Sequence, residues 1–258
     1  MTAPVHDTDP EGMLRTPDGG LLCALPGATV RFTGRRGGAS TGAFSSLNLG
    51  TWTADDPAAV AENRRRLAAG AGVGPERLAQ ARQVHGTDVL VVAGDDDLPG
   101  ARLERVREAD GTATALPATP CVVLCADCLP VGLVADGAVA MVHAGWRGLV
   151  GGVLEEGMRA LRAAGGTGAV TAVVGPGAGP CCYEVGAEVH EALAPLGPSV
   201  RHGDHADLPE AARLRLLAAG AEEVLIAGVC TICRPERFFS HRRDDGTTGR
   251  QAGAAWLT

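Results

Sequence analysis

Three residues in this chain carry metal-binding side chains beside predicted strands: His85, Cys128 and His143. Two imidazoles and a thiolate suit zinc, and three protein ligands leave the fourth tetrahedral position open for water or substrate. Cys128 closes the string Cys-Ala-Asp-Cys that follows an apolar run over 122–125, and His143 closes a second apolar run over 138–143. Both runs read as strands, with a polar turn at Asp136-Gly137 between them. After His143 come Gly145, Trp146, Arg147 and Gly148, then Leu149, Val150, Val153, Leu154, Met158 and Leu161 at helical spacing. Arg147 thus stands at a helix start, where guanidinium and backbone N–H groups together favour an oxyanion. His85 follows Gln83-Val84 and precedes Gly86, just before a strand predicted over 88–93.

The same residues admit other chemistry. Two C-x-x-C pairs, Cys125/Cys128 and Cys230/Cys233, could combine into a structural four-cysteine zinc site in a non-catalytic, partner-binding protein. Cys128 with His143 as its base would make a Cys–His hydrolase. Spacing leaves all three readings open.

Elements around these residues follow from punctuation and periodicity. The first twenty residues are rich in Pro, Asp, Thr and Gly and are expected to form a disordered tail, with structure beginning near Leu21. A strand is predicted at 30–32, followed by a Gly/Ser-rich loop whose Ser45, Ser46 and Asn48 are small polar groups able to face a ligand. The stretch from Asp56 to Gly70 is a helix, with Asp56 as N-cap, Pro57 at the first helical position and Gly70 at the end. A shorter helix is expected over 72–79, and a surface excursion over 94–107. Beyond the central helix, residues 169–174 form a strand that ends in a Gly/Pro-rich loop carrying Cys181 and Cys182. That loop feeds a helix over 187–193, a second helix start whose backbone N–H groups favour an anion. A loop over 195–209, a helix over 211–220 and a core strand over 223–229 complete the pattern, with no repeat and no dividing linker.

Composition narrows the class. The chain has 258 residues, is 45% hydrophobic and has no apolar run long enough to span a bilayer, as a globular protein should. All 23 basic residues are arginine, and the formal charge of −7 lacks the clustered basic face that nucleic-acid binding needs. The N-terminal residues show neither the basic nor the apolar region of a secretory signal, so the eight cysteines are expected to be reduced thiols in the cytoplasm.

Five strings, in order, resemble the laccase-domain family: Gln83-Val84-His85-Gly86, Ala126 through Val131, His143 through Gly148, Gly179 through Val185, and Thr248-Gly249-Arg250-Gln251. That family was long labelled multicopper polyphenol oxidase and is now regarded as zinc-dependent purine nucleoside phosphorylases. The resemblance implies an α+β fold, a four-layer α/β/β/α sandwich with mixed sheets, in a single catalytic domain over 21–258. It implies phosphorolysis of adenosine, inosine, guanosine or methylthioadenosine to the base and a ribose 1-phosphate derivative. Adenosine deamination is implied as a side activity, so the enzyme would be both a glycosyltransferase and a hydrolase. The family's zinc ligands fall on His85, Cys128 and His143; Arg147, Asn48 and Cys181 are the expected substrate or phosphate contacts. Partners are expected to be purine nucleosides and phosphate, with no nucleic acid, no membrane and a monomer favoured. Two positions depart from the family pattern: His241 stands before Arg242-Arg243 in place of Tyr, and Ala212 in place of Asn. The older oxidase label needs roughly ten histidines for its copper centres, against seven here, and copper in a preparation would be an adventitious replacement because Cu²⁺ outcompetes zinc at most N/S sites.

Overall fold

The computed structural model describes residues 12–98 and 106–258. Two six-stranded mixed sheets lie face to face. The first runs β1 (Leu14–Arg15), β2 (Leu21–Leu25), β3 (Ala28–Phe32), β14 (Gln251–Leu257), β7 (Cys121–Cys125), β4 (Ala79–Gln80). The second runs β13 (Glu223–Ile226), β10 (Thr167–Val174), β8 (Leu129–Asp136), β9 (Ala138–Ala144), β6 (Gly111–Thr114), β5 (Leu90–Val92). A small hairpin, β11 (Arg201–His202) with β12 (His205–Ala206), stands apart.

Strand alternation builds the layers. On β7, Cys121, Val123 and Cys125 point between the sheets, meeting Val30, Phe32, Val139, Met141 and Val173. Val122 and Leu124 point outward, where Leu67 and Ala68 of α1 (Pro57–Gly70) cover them. On β9 the even positions Ala138, Ala140 and Val142 face helices instead: α3 (Val153–Ala163), α4 (Ala187–Leu193) and α5 (Leu208–Ala218). The order is therefore helix, sheet, sheet, helices, the four-layer sandwich expected from the family resemblance. Both faces of each central strand are buried, which is why β7, β8 and β9 read as continuous apolar runs.

Several elements form as the local sequence predicts. The Asp56 side chain accepts a hydrogen bond from Ala58 N–H at 3.0 Å, capping α1 with Pro57 in its first turn. The central helix is split: α2 (Trp146–Gly151) stops at Gly152, whose φ of 98° lies in the left-handed region open to glycine, before α3 begins. The short helix expected near Gly74 is a single 3-10 turn, Pro75–Arg77.

The structure adds two strands to the predicted set and shortens the expected tail. Residues 129–136, between the two predicted strands, are themselves a full strand, β8, so β7 and β9 are not successive strands of one sheet. The C-terminal residues 251–257, with small Ala and Gly side chains and no clear alternation, form β14 at the centre of the first sheet. The tail ends earlier than Leu21: Met13 is buried, β1 pairs with β2, and the Asp18 carboxylate binds Arg31 at 3.1 Å and accepts from Gly34 N–H. The expectation for residues 1–11, and part of the predicted excursion over 94–107, lie outside the described residues.

Candidate metal centre and cleft

The crossover from β7 to β8 is the structural origin of the site. β7 belongs to one sheet and β8 to the other, so Ala126-Asp127-Cys128 must pass between them. Asp127 makes the turn with φ of 91°, and its buried carboxylate fixes that backbone. It accepts from Thr231 Oγ1 at 2.6 Å, Ser240 Oγ at 3.1 Å and Arg242 N–H at 2.7 Å. Strand register then delivers the other groups. Pro130 opposes His143, Gly111 opposes Val142, and Gln251 opposes Cys125, placing Cys128, His143, Asp110 and Arg250 at one end of the sandwich.

His85 arrives from a loop held to the same end. Gln83 clamps Leu124 through both its amide atoms, Nε2 donating to the carbonyl at 2.7 Å and Oε1 accepting the N–H at 2.8 Å. Asp110 then gathers the loop: its Oδ1 accepts from His85 N–H at 3.0 Å, and its Oδ2 from Val84 and Gly86 N–H at 3.3 and 2.6 Å. His85 itself has φ of 60°, an uncommon backbone state for a bulky residue that these three bonds sustain.

The ligand atoms of His85, Cys128 and His143 all lie within 4.8 Å of one another. Cys128 Sγ is 3.9 Å from His85 Nε2, and the imidazoles meet edge to face with centroids 4.9 Å apart. His143 Nδ1–H donates to Asp110 Oδ1 at 2.8 Å, which turns Nε2 towards the sulfur, where a metal ion would displace its proton. Gly145 completes the fit. A Cβ there would stand 3.1 Å from Cys128 Sγ and 3.2 Å from His85 Cδ2.

Electrostatics agree with the geometry. Burial alone would push the thiol up and the imidazole down. The facing charges reverse both, bringing Cys128 to about 6 and raising His143 to about 9. Burial likewise opposes the Asp110 charge, but the His143 ring and the loop N–H groups hold that carboxyl below its usual range. Two imidazole nitrogens and a thiolate converging on one point, with the buried imidazole oriented by a carboxylate, form a set that could hold a metal ion. A cysteine nucleophile would need only one of the imidazoles.

The centre opens into a cleft of about 370 Å³ lined by Trp52, Gln83, His85, Cys128, His143, Tyr183, His241, Arg242 and Arg250, among others. Among the described residues neither Arg242 nor Arg250 has a carboxylate within ion-pair distance. Their side chains are instead braced by carbonyls: Arg242 Nη1 donates to Glu184 O, and Arg250 Nη1 to Thr248 O and Gly249 O.

The sequence-derived candidates fall into two groups. His85, Cys128 and His143 converge. Asn48, Cys181 and Arg147 do not line the cleft. Asn48 is fully buried and works from behind, accepting from Gly50 N–H and Arg250 N–H and donating to Thr53 and Asp55. Arg147 is exposed on the rim, over the Trp146 ring at 4.2 Å and 3.8 Å from Glu188. Cys181 belongs to a separate group of thiols with Cys182, Cys230 and Cys233. The four-cysteine set of Cys125, Cys128, Cys230 and Cys233 is not assembled, because β7 buries Cys125 between the sheets while Cys128 turns to the histidines. Of the two departures from the family pattern, His241 lines the cleft and Ala212 is buried against the helical layer. Sequence reasoning gave no role to Asp110, Trp52, Tyr183, Arg242 or Arg250. Tyr183 and Arg250 lie inside the family-like strings, the one signal that could have drawn them out.

The fold and centre define a family, and residues 29–258 match the model described as multi-copper polyphenol oxidoreductase laccase. The chain belongs to that family. A relative from Shigella flexneri named purine nucleoside phosphorylase YfiH is 43% identical over 232 residues, covering 86% of this chain and 91% of its own. Another, from Geobacillus stearothermophilus, named purine nucleoside phosphorylase YlmD, is 38% identical over 252 residues, covering 90% and 92%. The crystal structure of YlmD from that organism superposes with a TM-score of 0.87 at 34% identity, covering 96% of this chain and 99% of the other.

Proposed function

We propose that this protein is a zinc-dependent purine nucleoside phosphorylase with adenosine deaminase activity, acting as a cytoplasmic monomer. The observation that carries the reading is the convergence of His85, Cys128 and His143 on one point at the floor of a cleft of nucleoside size. The relatives' names supply the reaction class. Zinc held by these three side chains would contribute a Lewis-acidic positive charge beside the bound substrates. Two histidines and one cysteine fit a single zinc better than the several copper centres of an oxidase.

The chain's own residues divide the rest of the work. In phosphorolysis a phosphate oxygen bonds to the anomeric carbon as the carbon–nitrogen bond breaks, its electron pair leaving with the purine. The guanidinium groups of Arg242 and Arg250, which among the described residues have no carboxylate within ion-pair distance, hold the phosphate. The Trp52 ring, over half exposed at 53%, offers a face on which the purine can stack. Arg147, already engaged with Glu188 on the rim, gives up the phosphate role to these two arginines.

Incubating metal-verified protein with adenosine across a phosphate series, and separating adenine, inosine and hypoxanthine by chromatography, tests the reading. Base release should rise with phosphate, deamination should fall as phosphate fills the same cleft, and chelation should abolish both. Absence of any purine product with zinc in place would refute the phosphorylase assignment. Deamination indifferent to saturating phosphate would refute the shared cleft.

A further inference from the structure

Four cysteines remain outside the centre described above, and the fold brings them together. Cys181 and Cys182 lie on the turn after β10, and Cys230 and Cys233 on the turn after β13, strands that pair in parallel in the second sheet. Their four Sγ atoms all lie within 4.8 Å of one another. Cys233 Sγ is 3.0 Å from Cys182 Sγ and 3.4 Å from Cys181 Sγ. We infer that these four thiolates form a second, tetrahedral zinc site, structural in role and separate from the His85–Cys128–His143 centre.

The dimensions suit that ion. A zinc–sulfur bond of about 2.3 Å sets tetrahedral sulfur–sulfur edges of about 3.8 Å; the two Cys233 separations are 3.0 and 3.4 Å and none of the four sulfurs is more than 4.8 Å from another, close enough for one ion to reach all four. Four equivalent soft donors with no open position describe a closed structural site. Gly179 N–H donates to Cys230 Sγ at 3.4 Å, supplying the kind of hydrogen bond to sulfur that supports a thiolate. The guanidinium of Arg234 beside Cys233 offsets part of the negative charge.

The two turns are held in register without any ion. Thr231 N–H donates to Gly177 O at 2.9 Å, Gly177 N–H to Val229 O at 3.3 Å, and Arg243 Nη1 to Thr231 O at 2.9 Å. What the ion adds is a cross-link at a wall of the cleft. Tyr183, directly after Cys182, lines the cleft, and Thr231 Oγ1 holds the Asp127 carboxylate that positions Cys128. A tie through sulfur therefore fixes both the tyrosine wall and the crossover. This inference rests on the thiol geometry and stands or falls independently of the proposed activity.

The test is metal content on protein purified under reducing conditions and loaded with zinc. Wild-type protein should hold two zinc ions per chain, Cys128→Ala one, and Cys181→Ser/Cys233→Ser one. Cobalt loaded into Cys128→Ala should give the charge-transfer and d–d bands of a tetrahedral tetrathiolate centre. Because the double serine variant could fail to fold, the metal content and the cobalt spectrum of Cys128→Ala decide the matter. Folded Cys128→Ala that takes up no metal would overturn the site. So would mass spectrometry of the freshly purified protein showing two disulfides among the four cysteines.

Discussion

Replacing Asp110 with Asn should weaken the metal centre without removing a ligand. The carboxylate is fully buried and accepts four hydrogen bonds, two on each oxygen. An amide has one acceptor oxygen. If it serves His143 Nδ1–H and His85 N–H, its NH₂ group must face the Val84 and Gly86 N–H groups, which lie 3.3 and 2.6 Å from the native oxygen. Two hydrogen bonds to a charged acceptor are lost, each worth about 1.5–3 kcal/mol, and relief of a buried charge returns part of that. A net loss of about 3 kcal/mol should lower Tm by roughly 6–12 °C in a chain of this size. With His85 and His143 both less firmly aimed, zinc affinity should fall about 10- to 100-fold. Calorimetry gives the first quantity and chelator competition the second. Wild-type zinc affinity in folded Asp110→Asn would show that the ligands hold their positions without this carboxylate, refuting the argument.

Three further outcomes are expected. Gly145→Ala should lower zinc affinity by about tenfold in chelator competition, with wild-type helical content by circular dichroism. The backbone at φ −77°, ψ 168° admits alanine, so only the approach of the new Cβ to Cys128 and His85 can act. Arg250→Ala should raise the KM for phosphate at least about tenfold, the value of one charge-assisted hydrogen bond, while Arg147→Ala shifts it less than about threefold. Equal effects in steady-state kinetics would return Arg147 to the phosphate site. Cys23, Cys121 and Cys125 should stay unmodified by a thiol reagent at pH 8 until denaturant is added, because burial raises all three thiols, Cys121 to about 12. Peptide mapping that finds any of them labelled in the native protein would contradict the packing between the sheets.

How far the sequence discloses such a site depends on how local its parts are. His85, Cys128 and His143 are legible because each stands in a short family-like string, Gln83 to Gly86, Ala126 to Val131 and His143 to Gly148, whereas their spacing alone leaves the convergence open. The α1 cap is legible from Asp56 and Pro57 themselves. β14 is not, since Gln-Ala-Gly-Ala-Ala-Trp-Leu has neither period; it becomes a strand because β3 and β7 leave a slot between them for small side chains. β8 escaped because its apolar run merged with the approach to the Asp136-Gly137 turn, and missing it hid the crossover that presents Cys128.

Asp110 is the sharper case. In the sequence it is one acid in Glu-Ala-Asp-Gly-Thr, indistinguishable from a solvated loop residue. Its role exists only because β6 pairs with β9, so that Gly111 faces Val142 and the residue before one meets the residue after the other. The pairing of Cys181-Cys182 with Cys230-Cys233 is of the same kind, set by the parallel register of β10 and β13. Ligands belong to motifs, and the groups that aim them belong to the sheet. A substitution that shifts the β6–β9 register by one residue should therefore cost the proposed metal centre as much as loss of one of His85, Cys128 or His143, with all three still in place.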